Sequence, residues 1–133
     1  MPEAVIASTA RTPIGRAFKG SLVDTDPFTL AKHAVGATIE RSGLDPALID
    51  DMVLGESLYG GGDIARYVAV DAGLEHIPGA ALNRHCASGL SAVVTGAASI
   101  RAGMDRRHRL RHPPPPRRPG RSGAHPARRT RST

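Results

Sequence analysis

Residues Ala80-Ala81-Leu82-Asn83-Arg84-His85-Cys86-Ala87-Ser88-Gly89-Leu90 join a short apolar run to a segment with helical periodicity, and they hold the only cysteine among 133 residues. After the cysteine, Leu90, Val93, Val94, Ala97 and Ala98 recur at three- and four-residue steps, with Ser91 and Thr95 between them. The pattern predicts strand, tight turn, helix. A cysteine in that turn stands at a helix N-terminus, where unpaired N–H groups and the helix dipole favour a thiolate. This is a route to a nucleophilic cysteine that needs no metal. A lone cysteine also fits a buried structural role, and the residues around it must decide between the two.

Working outward, the chain before the cysteine alternates short apolar runs with helical patterns. Ala4-Val5-Ile6-Ala7 reads as a buried strand, left through the loop Ser8-Thr9-Ala10-Arg11-Thr12-Pro13-Ile14-Gly15. Arg11 fits a structural salt bridge better than an anionic ligand. Asp26-Pro27 is a helix start, with Asp26 to cap and Pro27 at the first helical position. Phe28, Ala31, Val35 and Ile39 then mark one face of a helix that ends near Ser42-Gly43. His33 in that helix reads as a surface or packed side chain.

Asp45-Pro46 repeats the capping pattern for a short turn, and Met52-Val53-Leu54-Gly55 reads as a second strand. Asp50 and Asp51 are neighbours whose side chains diverge at a strand entrance, so they are not an acid–base pair. Leu58-Tyr59-Gly60-Gly61-Gly62-Asp63 is glycine-rich but lacks the Gly-Lys-Ser/Thr ending of a phosphate loop. Asp63 is placed to cap a helix running over residues 64–73. His76 falls in a solvated connector. Ala80-Ala81-Leu82 is the third strand. Strands without polar alternation, separated by helices, predict an α/β layer packing with the sheet buried on both faces.

Charge divides the chain in two. Residues 1–105 carry 8 Lys+Arg and 12 Asp+Glu, a net of −4, whereas 106–133 carry 10 Arg and no acid, a net of +10. The overall +6 therefore belongs to the tail. That tail has only Leu110, Ala124 and Ala127 as apolar residues, plus Pro113 to Pro116, and is expected to be disordered. It has no aromatic residue to stack bases, which argues against nucleic acid as a partner. A single cysteine excludes an internal disulfide framework and suits a reducing cytosol. With neither a span-length apolar stretch nor a signal-peptide pattern, the expected compartment is the cytoplasm, away from membranes.

Asn83-x-x-Cys86-Ala87-Ser88-Gly89-Leu90 resembles the active-site cysteine segment of the thiolases, enzymes that transfer acyl groups to and from coenzyme A. The opening strand with Arg11-Thr12-Pro13-Ile14-Gly15, and the segment Gly62-x-x-Ala65-Arg66, are similar to thiolases in the same order. The resemblance covers residues 1–105 and implies part of the first half of a layered α/β fold, with 106–133 as a separate tail. It implies Cys86 as the acyl carrier, with Asn83, Ser88 and Gly89 shaping the turn around it. Coenzyme A thioesters would be substrates, and no cofactor would be permanently bound.

The resemblance also implies a second, acid–base cysteine, activating histidines and a coenzyme A loop. After Cys86 the chain has only His108, His112 and His125, all in the tail, so acyl transfer is not expected from it alone. His85, adjacent to the thiol, is not expected to be its base. In thiolases a further buried strand follows the run-up seen here as Ala102-Gly103-Met104-Asp105. Its replacement by Arg, Pro and His fits a frameshift near Asp105 better than an evolved arginine-rich arm. A chain of this kind is expected to expose sheet edges and helix faces, and so to associate with itself or with a missing C-terminal half. The alternative is a non-catalytic relic or a basic interaction module.

Overall fold

The computed structural model describes residues 3–58 and 62–104. The expectations for Tyr59, Gly60 and Gly61 and for the 106–133 tail lie outside the described residues. Two strands, β1 (Met52–Gly55) and β2 (Gly79–Leu82), pair in parallel with Met52 opposite Gly79 and Gly55 opposite Leu82. Among the described residues three helices accompany them, α1 (Pro27–Ser42), α2 (Ile64–Asp71) and α3 (Ser88–Ala102), and a 3₁₀ turn covers Pro46–Leu48. The α/β layering expected from the sequence is the one that forms.

The helix ends are where cap chemistry puts them. Asp26 accepts the Thr29 N–H at 2.9 Å, and its other carboxylate oxygen accepts the Thr29 hydroxyl. Pro27 fills a position where no N–H is needed, and Gly43 closes α1 in the left-handed region at φ 65°. Asp45 caps the 3₁₀ turn by accepting the Ala47 N–H at 3.0 Å. Asp63 caps α2 by accepting the Arg66 N–H at 3.1 Å. A second carboxylate, Glu56, accepts the Ile64 N–H at 2.9 Å. Expected to reach Gly73, α2 stops at Asp71 because Gly73, at φ 74°, turns the chain back.

Strand alternation assigns the two faces of the sheet. Partners in a parallel ladder project to the same side, so Met52, Leu54, Gly79 and Ala81 share one face, and Val53, Gly55, Ala80 and Leu82 the other. A Cβ at Gly79 would lie 2.3 Å from the Arg66 amide nitrogen, so the first face carries α2. A Cβ at Gly55 would lie 2.5 Å from the Gly89 amide nitrogen, so the second face carries the start of α3.

The core fills the α2 side. Met52, Ile64, Ala65, Val68, Ala69 and Ile77 are buried, with Leu54, Ala81 and the α1 residues Phe28, Ala31 and Val35 packed around them. Arg66 extends this layer, donating from Nη1 to the carbonyls of Glu75 at 2.9 Å and Ile77 at 2.7 Å. α1 is held to α2 by the Phe28 and Tyr67 rings, 4.2 Å apart at 43°, and by a Lys32–Asp71 ion pair at 2.7 Å.

Several expectations are corrected. Residues 4–7 form no strand: they pair with neither β1 nor β2, and Val5 and Ile6 are 74% and 75% exposed. A strand exists only through its ladder, and this apolar run has no neighbouring edge among the described residues. Its nearest tether is the Arg41 guanidinium, which donates to the Thr9 carbonyl at 3.2 Å. Arg11 is exposed and takes no part in the ion pair that does form. His33 needs no correction: it is a surface side chain on α1. The exposed His76 ring lies 3.2 Å from the Pro46 carbonyl. Burial on both sheet faces holds only on the α2 side. α3 buries Ser88 and Ala92, while Leu90, Val93 and Val94, the expected inward stripe, stay exposed. Backbone contact at Gly55 selects the small residues of α3 for its inner face. Among the described residues no helix is long and apolar enough to cross a membrane.

Two predictions follow from this packing. Ile77 is fully buried beneath α2, so Ile77→Ala should cost about 2–5 kcal/mol in denaturant unfolding, as large-to-small core changes do. Hydrogen bonds from the Thr29 hydroxyl and amide hold the Asp26 carboxyl below its ordinary pKa. A depressed carboxylate stabilises the fold above its unfolded-state pKa, and that contribution is lost as the pH falls through the folded value. Asp26→Asn should keep the cap but flatten this acid limb, and Asp26→Ala should lower the thermal midpoint at neutral pH; thermal melts across pH 2–7 would check both.

Candidate active site

Between β2 and α3 the chain makes a turn of five residues, Asn83 to Ala87. Its conformation is set by a non-glycine residue in the left-handed region, His85 at φ 46°. Short bonds hold it: the Ala87 N–H donates to the Arg84 carbonyl at 3.0 Å and the Ser88 N–H to the His85 carbonyl at 3.1 Å. Arg84 and Cys86 form an isolated bridge across the apex.

Two side chains complete the turn. Ser88 is 5% exposed and works in both directions. Its hydroxyl accepts the Arg84 N–H at 2.9 Å and donates to the His85 carbonyl at 2.6 Å. Asn83 bridges outward: its Oδ1 accepts the His85 N–H at 3.0 Å, and its Nδ2 donates to the Ser57 carbonyl at 3.0 Å. The neighbouring Glu56 N–H donates to the Leu82 carbonyl at 2.9 Å. The segment after β1 is thereby tied to the turn after β2.

Cys86 emerges from this frame as an exposed free thiol just ahead of α3, whose N-cap position is Ala87 and carries no side-chain cap. No side chain caps the first turn of α3, and its start follows the cysteine by two residues. The His85 ring is exposed, as is Cys86. Among the described residues no group of three or more His, Cys, Asp or Glu is placed to hold a metal ion. An open groove of about 690 Å³ follows the outer edge of β2, with Glu56, Asp63 and Asn83 on its wall, and Cys86 does not line it.

Of the residues singled out in the sequence, Asn83 and Ser88 meet at the turn through the bonds above. Gly89 stands in the first turn of α3, and its backbone nitrogen and Cα are atoms that a Cβ at Gly55 would meet, at 2.5 and 2.9 Å. Gly55, thirty-odd positions earlier, reads in the sequence only as a strand end. Glu56 and Ser57 were missed as well, because they serve through a backbone N–H and a carbonyl that any residue type could supply.

Comparison with known proteins gives the same turn a lineage. A family profile described as thiolase, N-terminal domain, matches residues 4–106. A 3-ketoacyl-CoA thiolase of Bacillus subtilis is 39% identical over 107 residues, which is 77% of this chain and 27% of that protein. An acetyl-CoA acetyltransferase of Cupriavidus necator is 37% identical over 106 residues, again 77% of this chain and 27% of the relative. Among solved structures, the acetyl-CoA acetyltransferase of Bacillus anthracis superposes with a TM-score of 0.75 at 30% identity, covering 79% of this chain and 27% of its own. The Syntrophomonas wolfei acetyl-CoA acetyltransferase gives 0.70 at 33% identity, covering 78% and 27%. The chain thus spans about a quarter of the length of these relatives. With the N-terminal-domain profile running from the N-terminal segment through α3 and solved members matching 78–79% of the chain, the chain belongs to the thiolase family.

Proposed function

We propose that this chain carries the nucleophile of a thiolase-type acyl transfer, with Cys86 as the acyl carrier and coenzyme A thioesters as substrates. The observation that supports this reading most is the turn itself. In a thiolase N-terminal domain, a single exposed thiol stands directly ahead of a helix with no side-chain cap. Ser88 and Asn83 bond to the backbone of Arg84 and His85, the two residues just before the thiol-bearing one.

In this reading the Cys86 thiolate attacks the C3 ketone of a 3-ketoacyl-CoA. The C2–C3 bond breaks, and its electron pair leaves on C2, which takes a proton to become acetyl-CoA. The shortened acyl group remains as a thioester on Cys86. A coenzyme A thiolate then attacks that thioester, releases the shortened acyl-CoA and restores the free cysteine. Run backwards, the same steps condense two acyl-CoA molecules. Relatives named for both directions, 3-ketoacyl-CoA thiolase and acetyl-CoA acetyltransferase, are consistent with either.

Ser88 and Asn83 hold the turn and move no proton. The second cysteine implied by the family resemblance is not supplied here, since the 133 residues contain one. Acid–base work therefore falls to residues outside this sequence. They could be supplied by a second polypeptide that associates with this domain, and the exposed apolar face of α3 is consistent with such association. The reading accordingly assigns this chain thioester formation without sustained turnover.

Incubating the purified chain with acetoacetyl-CoA and recording intact mass tests this. An acetyl adduct on Cys86, absent in Cys86→Ser, with no continuing release of product, is the expected outcome. A folded sample that acquires no adduct, or one that keeps it in Cys86→Ser, would overturn the reading.

A further inference from the structure

We propose that Gly55 is a positioning residue for the Cys86 thiol: the seat of α3 on the end of β1 sets where the nucleophile stands. The inference rests on the reading of Cys86 as nucleophile and adds the element that places it. β1 ends at Gly55, on the face that carries α3. A Cβ built there would fall 2.5 Å from the Gly89 nitrogen, 2.7 Å from the Ser88 carbonyl carbon and 2.9 Å from the Gly89 Cα. All three are backbone atoms of the first turn of α3. No side-chain rotation relieves such a contact, so any residue larger than glycine must push that turn off the sheet.

The displacement has a defined path to the thiol. Ser88, at the point of contact, is buried, and its hydroxyl holds both the Arg84 N–H and the His85 carbonyl. These two residues and Ala87 enclose Cys86 in the turn. Moving Ser88 therefore moves the cysteine relative to the segment after β1, to which Asn83 ties the other side of the turn through Ser57. The thiol is held between two anchors, the Gly55 contact and the Asn83 bridge. The turn that bears it runs directly into the uncapped start of α3, so displacing that start displaces the turn.

Gly79 provides a matched comparison. Its Cβ would fall 2.3 Å from the Arg66 nitrogen, an equally severe backbone contact, but on the opposite face against α2. A merely structural role for Gly55 would make the two glycines equivalent in their effect on the thiol.

The test is the rate of Cys86 alkylation by iodoacetamide across pH, on the full chain, corrected for the folded fraction measured by circular dichroism. Gly55→Ala should slow alkylation of folded molecules about two- to fivefold, the size of a helix-terminus effect. Gly79→Ala should lower stability while leaving the rate for folded molecules unchanged. Ser88→Ala, which cuts the path without adding volume, should shift the rate in the same sense and decides the matter if Gly55→Ala does not fold. An unchanged rate in Ser88→Ala, or equal effects from Gly55→Ala and Gly79→Ala, overturns the proposal. The iodoacetamide readout needs no acyl substrate. Failure of acetoacetyl-CoA to label a wild-type thiol that still responds to Gly55→Ala would refute the acyl-carrier reading and leave the positioning role standing.

Discussion

Two backbone contacts too close for any side chain organise this domain. At the start of β2, Gly79 lets α2 descend onto one face of the sheet, and at the end of β1, Gly55 lets α3 descend onto the other. The ladder between them is only four residue pairs long, so the helices cannot be steered by an extensive sheet. Where they sit is decided by close approach at opposite corners. The α2 corner builds the core, because the helix brings Ile64, Ala65, Val68 and Ala69 over Met52 and Ile77. The α3 corner builds the site, because the helix brings its uncapped end beside the turn that bears the thiol.

The same geometry explains an unequal burial. α3 approaches so closely that only Ser88 and Ala92 fit beneath it, and its larger apolar residues face away. Leu90, Val93 and Val94 are 70%, 57% and 60% exposed, and the N-terminal run with Val5 and Ile6 pairs with no strand among the described residues. An apolar helix face left outside is a surface that association would bury. It is in keeping with a chain that spans about a quarter of the length of its thiolase relatives.

Much of the scaffold was legible in the residues because its signals are local. Asp26, Asp45 and Asp63 each precede a helical turn whose free N–H groups need an acceptor, and each caps as expected. The strand at Met52–Gly55 and the strand–turn–helix around Cys86 were also readable, one from an apolar run and the other from a change of periodicity. The failures share a cause. Residues 4–7 look like a strand but depend on a neighbour that sequence cannot provide. The α3 stripe has the right spacing, yet periodicity identifies a face without saying which face meets the sheet. The close approach at Gly55 has no local signal, because a glycine there reads only as the end of a strand and the nearest atom it meets lies 34 positions further on.

By itself, the sequence determined the chemistry available: one thiol, placed between an apolar run and a helix, with a serine and an asparagine at spacings that reach the backbone around it. Each cap and turn is closed by residues only a few positions apart, where bonding options are few. The tertiary structure alone decided which surfaces are inside and what holds the turn in place. The bridge from Asn83 to Ser57 and the contact of Gly55 with Gly89 join residues 26 and 34 positions apart. Such pairings come from the parallel register of two strands, and no local pattern in the chain specifies them.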